Sequence, residues 1–273
     1  MDIKSILVHA DSDPQFEVRL ALAMKLADAH RAHLIGVFSC GPPVLISYVT
    51  GFSAALVAEF RGAQDKAAGQ LRTRFLEAAA GAGLSHEWRR DDDSPWLPIS
   101  VHARYVDLAV VAQTDRGDAL ARGVDKVAEE IIMNASCPVL MVPYSGTFAM
   151  VGKRVMIGWN GRREAARAVR DAMPLLRSAA QIVVYCVTES KQDRIAGADI
   201  ATQLARHNLR VEVVTSLGSD RRAGEALLGA VAEYGADMLV MGAYGHNRLR
   251  EFVFGGATRH MLSHMRVPTL MSH

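Results

Sequence analysis

The residues best placed to do chemistry are a set of glycines late in the chain. The segment from Asp237 to Met265 reads DMLVMGAYGHNRLREFVFGGATRHMLSHM. Asp237 to Met241 is a short apolar run that reads as a strand. Gly242 and Gly245 punctuate its exit, and a nine-residue loop leads to the pair Gly255 and Gly256. A helix is expected to open at Ala257. A glycine-lined strand exit lets main chain approach a ligand closely, and the first N–H groups of a helix form an anion site. Phosphate is the anion to expect. The spacing Gly-x2-Gly-x9-Gly is neither the Walker pattern nor the dinucleotide fingerprint.

His246, Arg248, Arg250 and Arg259 add positive charge around this loop, either as partners for phosphate oxygens or as a solvated basic surface. Arg259 stands out because a cation in the first turn of a helix is unfavourable unless an anion is present. Thr258 is placed to cap that helix. Phe252, Val253 and Phe254 read as burying the loop against its own domain, with contact to another subunit as the other reading. His260 and His264 lie one helical turn apart and could grip a metal, but no third ligand is evident. No Gly-x-Ser-x-Gly elbow, HExxH or Walker lysine is present, so hydrolase chemistry of those kinds has no support. His9 and Trp159, at the ends of apolar runs, read as packing residues.

Half of the 273 residues are hydrophobic and 22% are charged, the balance of a globular chain with a substantial core. A formal charge of +2 gives no argument for a nucleic-acid partner. Cys40, Cys137 and Cys186 show no CxxC spacing and read as packing thiols. No apolar run reaches the ~18 residues of a membrane span, and the acidic start MDIKSILVHADSD is unlike a signal peptide. The expectation is a cytoplasmic, reduced protein.

The elements that must position the glycines come in two copies. Asp107 to Pro143 aligns without a gap on Asp237 to His273, pairing Asp107 with Asp237, Val110 with Val240, Pro138 with Pro268, Leu140 with Leu270 and Met141 with Met271. Ser5 to Asp11 (SILVHAD) likewise reads like Arg154 to Asn160 (RVMIGWN). A repeat of this length means two copies of one fold, here residues 1–146 and 147–273. Apolar runs alternate with amphipathic helices in each, which predicts an α/β fold: two tandem, doubly wound, five-stranded parallel sheets with helices on both faces. Ligands then sit where the winding reverses, between the exits of strands one and four, which hold Asn160 and Gly242. Each copy ends in a strand that begins with Pro138 or Pro268, as suits an edge. The two final strands are predicted to pair, so that the chain imitates a homodimer. The extra length at Ser39 to Ser53 reads as a loop packed on its own domain or as a partner contact. The acidic run Asp91 to Asp93 before Ser94-Pro95 reads as a helix entry capped by Ser94.

With these residues laid out, the chain resembles a tandem universal stress protein, over essentially its whole length. In nucleotide-binding members an aspartate after strand one meets the ribose, residues near the ends of strands one, two and four hold adenine, and the glycine loop wraps the phosphates. The resemblance carries these roles onto Asn160 for ribose and onto Gly158, Val187 and Met241 for adenine. Gly242, Gly245, Gly255 and Gly256 take the phosphates, with Ala257, Thr258 and Arg259 at the helix start. The family pattern ends Gly-Ser or Gly-Thr where this chain has Gly256, and the ribose aspartate is Asn160, which brings no charge for a metal. Each neutral hydrogen bond lost is worth ~1 kcal/mol, or about fivefold in affinity, so binding is weakened and not abolished.

In the first copy Ala112, Asp115, Asp125 and Lys126 replace Gly242, Gly245, Gly255 and Gly256, leaving Asp11 as the ribose-type residue. Two aspartates would repel phosphates. What the resemblance implies is a cytoplasmic stress-response protein that binds one adenine nucleotide, ATP or a relative, with or without Mg, in its second half. Its action is regulatory. The alternatives are a slow ATP hydrolase and a structural or interaction dimer that binds nothing. No nucleic acid or membrane is implied, and a homodimer and a protein partner stay open.

Overall fold

In the computed structural model the described residues are 2–39, 54–90, 97–114, 127–188, 197–218, 222–243 and 256–273. The expectations for the loop 40–53, for the acidic run 91–93 with Ser94, for Cys40, and for Asp115, Asp125 and Lys126 lie outside them. The chain separates into two compact units, Asp2–Val139 and Leu140–His273.

The first unit runs β1 (Ser5–Ala10), α1 (Phe16–His30), β2 (His33–Phe38), α2 (Ala54–Gly81), β3 (His86–Arg90), α3 (Leu97–His102), a 3-10 turn (Ala103–Tyr105), β4 (Leu108–Ala112) and α4 (Val127–Asn134). The division between the units falls inside β5 (Val139–Val142). Strand order is β3-β2-β1-β4, every pairing parallel. Ile6, Leu7, Val8, Leu34, Leu108 and Val110 have no solvent exposure, as expected of a parallel sheet covered on both faces. The second unit continues with β6 (Arg154–Trp159), α5 (Arg163–Leu176), β7 (Gln181–Thr188), α6 (Ala198–Arg206), β8 (Val211–Leu217), α7 (Ala223–Glu233), β9 (Met238–Gly242), α8 (Gly256–His264) and β10 (Thr269–Ser272). Its order is β10-β9-β6-β7-β8, again all parallel.

Two matched residue pairs explain why the halves look alike in sequence. The Asp107 carboxylate accepts from the backbone N–H groups of Lys4 and Ser5 and from the Ser5 hydroxyl, each at 2.9 Å. Asp237 does the same for Gly152, Lys153 and Arg154 at 2.7 to 3.1 Å. In each half an aspartate at the start of strand four thus ties down the start of strand one. The prolines match as well: the Pro138 carbonyl accepts from Ala109 and the Pro268 carbonyl from Leu239, at 3.1 and 3.0 Å. A proline lacks an N–H but keeps its acceptor, so it opens a strand without breaking the ladder.

One boundary differs from expectation in a way that matters for the site. The last long helix, α8, opens at Gly256, so Thr258 is its third residue and is buried inside the first turn; it is not the cap. A helix start is set by backbone dihedrals, and a threonine hydroxyl nearby does not fix it.

Candidate functional site

The winding of the second unit reverses at β6, which pairs with β7 on one side and β9 on the other. Gly158 stands opposite Met241 in the β6–β9 register, so the carboxyl ends of these strands open side by side. A hollow of about 100 Å³ lies there. Its floor is Gly158, Met241 and Gly242 from the strand ends, its far wall Tyr185 and Val187 from β7, and its rim Gly256, Ala257 and Thr258 from α8. Asn160 and Arg162 close the side next to α5. Sheet residues supply a flat apolar surface, and helix starts supply N–H groups, which suits a planar base joined to an anion.

The glycines do different jobs. A Cβ at Gly158 would meet Leu227 Cδ2 at 3.1 Å and Cδ1 at 3.3 Å, so a side chain there would crowd the hollow. Gly242 has another reason to be glycine. A Cβ on it would lie 2.5 Å from the backbone N of Ala165 and the backbone C of Glu164. The missing side chain admits the start of α5 against β9, the close helix–strand approach that only glycine permits. Gly242, read from sequence as a ligand-side glycine, has a packing role in the structure.

Of the residues singled out in sequence, the structure brings together at the hollow Gly158, Asn160, Val187, Met241, Gly242, Gly256, Ala257 and Thr258. Arg259 lies on α8 with an exposed side chain and is not among the residues that line it. Gly245, Gly255, His246, Arg248, Arg250 and 252–254 lie outside the described residues. Sequence reasoning missed Arg162, Tyr185 and Leu227, and read Trp159 as packing, whereas it also lines the hollow. Trp159 ends the strand run of β6, and a large aromatic at a strand's carboxyl end is the signal that could have marked it; Tyr185 lies inside β7 and carries no such signal.

His260 and His264 stack, with ring centroids 4.3 Å apart, and His264 Nδ1 donates to the His260 carbonyl at 2.9 Å. Among the described residues no group of three or more metal-ligating side chains forms.

At the matching strand end of the first unit the side chains pair with one another. His9 stands where Gly158 does, Asp11 where Asn160 does, Asp13 where Arg162 does and Arg19 where Ala168 does. The Arg19 side chain has no solvent exposure; its Nη2 donates to Asp11 Oδ1 at 2.5 Å, its Nη1 to Asp13 Oδ2 at 3.5 Å and its Nε to the His9 carbonyl at 2.9 Å. His9 is buried beside them, with Nδ1 3.4 Å from Asp11 Oδ2 and Nε2 3.3 Å from the Ser39 carbonyl. Burial alone would raise the Asp11 carboxyl, but Arg19 and His9 hold it below the ordinary carboxylate value. The carboxylate that the resemblance assigns to ribose is thus taken by an internal guanidinium.

Comparison with known proteins agrees with this architecture. The model of the universal stress protein family matches residues 2–143 and 152–273. A universal stress protein of Synechocystis sp. is 27% identical over 146 residues, which is 52% of this chain and 49% of that protein, so the match spans about half the length of the curated relative. Among solved structures, a universal stress protein from Archaeoglobus fulgidus aligns over 99% of this chain and 96% of its own, with a TM-score of 0.77 at 14% identity. A putative universal stress protein from Pseudomonas aeruginosa aligns over 99% and 93%, with a TM-score of 0.59 at 17% identity. At such identities these structures are similar in fold alone. Two family matches that together cover nearly the whole chain, on two units of the same strand order, make it a member of the universal stress protein family.

Proposed function

We propose that the second half binds an adenine nucleotide, ATP or a related one, in the hollow between Asn160 and Gly242, and that the protein acts in a cytoplasmic stress response by binding and not by turnover. The observation that carries this reading is the hollow itself: an apolar floor at the β6–β9 switch point beside the first residues of α8. A base would lie against Met241, Val187 and Leu227, the ribose beside Asn160, and the phosphates at the Gly256–Ala257 N–H groups. Magnesium, when present, would ride on the phosphates, since Asn160 supplies no charge for it. The described lining offers ring-stacking and N–H groups, with no carboxylate or imidazole to act as a base, which favours binding over hydrolysis.

The test is a thermal unfolding series on the full chain with ATP, ADP, AMP or no ligand. A ligand at a hundred times its dissociation constant adds ~2.7 kcal/mol of stability. Gly256→Asp places a carboxylate at the rim without disturbing the core and should abolish the shift. No shift with any nucleotide overturns the reading. Titration showing two equal sites overturns the assignment to one half, and phosphate release above the Gly256→Asp background would make the protein a slow hydrolase.

A further inference from the structure

His260 and His264 sit one turn apart on α8, the first half-buried and the second exposed, and neither lines the hollow. Their rings lie side by side, with centroids 4.3 Å apart and planes inclined by 22°. The His260 carbonyl has no proton to give, so the His264 Nδ1 that stands 2.9 Å from it is the N–H donor. In the neutral ring this leaves a bare lone pair on Nε2, which meets no hydrogen-bond partner among the described residues. The nitrogens of His260 likewise meet none there. Burial and the neighbouring His264 hold the His260 imidazole below its ordinary value near 6.5, against the opposing pull of Glu225, so the ring is neutral at pH 7. From the other side α7 seats this residue: a Cβ on Gly224 would lie 2.9 Å from His260 Cβ and 3.1 Å from its Cδ2.

Two neutral imidazoles at i and i+4 on one helix face are the pairing that grips a transition ion. A histidine Nδ1–H held by a backbone carbonyl is also the usual outer support of a metal-bound ring, because it fixes the tautomer and aims Nε2. Two nitrogens on one tetrahedral ion stand about 3.3 Å apart, for bonds of about 2.0–2.1 Å. The His260 ring has no hydrogen bond to break in turning to meet that spacing. We propose that His260 and His264 together bind a divalent transition ion of the zinc, nickel and copper class at the surface of α8. Glu225, exposed on the adjoining α7, adds a negative field that favours a cation there. Among the described residues no third side-chain ligand stands in place, so water completes the shell and the ion exchanges readily. Magnesium and calcium, which take oxygen ligands, are poor occupants. This site is separate from the nucleotide hollow and does not rest on it.

Isothermal titration of zinc, nickel and magnesium chlorides into the tag-free full chain, without nucleotide, tests it. Wild type is compared with His260→Gln, His264→Gln, the double variant and His207→Gln, an exposed histidine after α6 that serves as control. Wild type should show a single zinc and nickel site. Either substitution in the pair should weaken it by about tenfold or more, and His207→Gln should leave it unchanged. Binding should fade below about pH 6 as the imidazoles take up protons. Zinc should raise the melting temperature of wild type and not of the double variant, whose fold is checked by circular dichroism. Zinc that binds the double variant as tightly as wild type is an adventitious ion only and overturns the proposal. So do wild type that binds no zinc and magnesium that binds as well as zinc.

Discussion

Arg19 Nη2 lies 2.5 Å from Asp11 Oδ1, with the arginine side chain fully buried and the aspartate side chain 24% exposed. A buried cation is tolerable only when its donors are filled, and here Asp11, Asp13 and the His9 carbonyl fill them. Removing one partner leaves the others uncompensated. Arg19→Met is therefore expected to destabilise the protein by about 3–5 kcal/mol in urea unfolding, and adding Asp11→Asn should recover part of the loss. A single variant within a few tenths of wild type would show that the cluster holds nothing together.

The same cluster predicts acid lability. Burial, the largest influence, and the Arg19 charge hold the His9 imidazole below its ordinary value near 6.5 despite Asp11, Asp13 and the Ser39 carbonyl. A depressed value means the fold needs the neutral ring. That stability is complete above the unfolded value and is lost as pH falls through the folded one. Asp11, also depressed, adds a loss at more acidic pH. Asp13 is raised by burial and by Asp11, so its contribution has the opposite sign and is present only in acid. The urea midpoint should fall from about pH 7.5 to about pH 5.5, by at most ~1.4 kcal/mol per pH unit for each titrating group. His9→Gln should flatten this dependence without removing it, because burial also lowers His30 and His260.

Gly242 and Gly69 should respond in opposite directions to alanine. Gly242→Ala drives a Cβ to within 2.5 Å of α5 backbone and is expected to cost about 1–3 kcal/mol by overpacking. Gly69, inside α2, has nothing within 4 Å of the added carbon. Gly69→Ala should stabilise by about 0.5–1 kcal/mol through helix propensity. Equal effects in a urea series would refute the packing role given to Gly242.

Asp237 and Asp107 make equivalent ties between strand starts, and each is expected to be structural. Asp237→Ala should cost about 1–3 kcal/mol by orphaning the N–H groups of Gly152, Lys153 and Arg154. Asp107→Ala should cost less, because water can replace its bonds at a more exposed position. Nucleotide affinity of the folded Asp237→Ala protein should match wild type; a large loss would move this residue into the site.

The repeat and the alternation of strands and helices were legible in the residues. Each is local or periodic: Asp107 and Asp237 recur at one spacing, Pro138 and Pro268 at another, and apolar runs of β length announce a covered parallel sheet. Gly158, Asn160, Val187, Met241, Gly242, Gly256, Ala257 and Thr258 meet at one hollow because they lie at strand ends and a helix start, which a doubly wound topology gathers. What only tertiary structure decided is which atoms fill each crevice. An arginine on a helix reads as solvated, yet Arg19 folds inward because two aspartates and a carbonyl from the β1 exit converge on it. Gly242 reads as a ligand-side glycine, and only the tertiary structure shows the close packing of α5 against it. Arg162 became visible once the fold placed it at the hollow beside Asn160, whose Oδ1 accepts its N–H, a placement that side-chain identity alone does not encode.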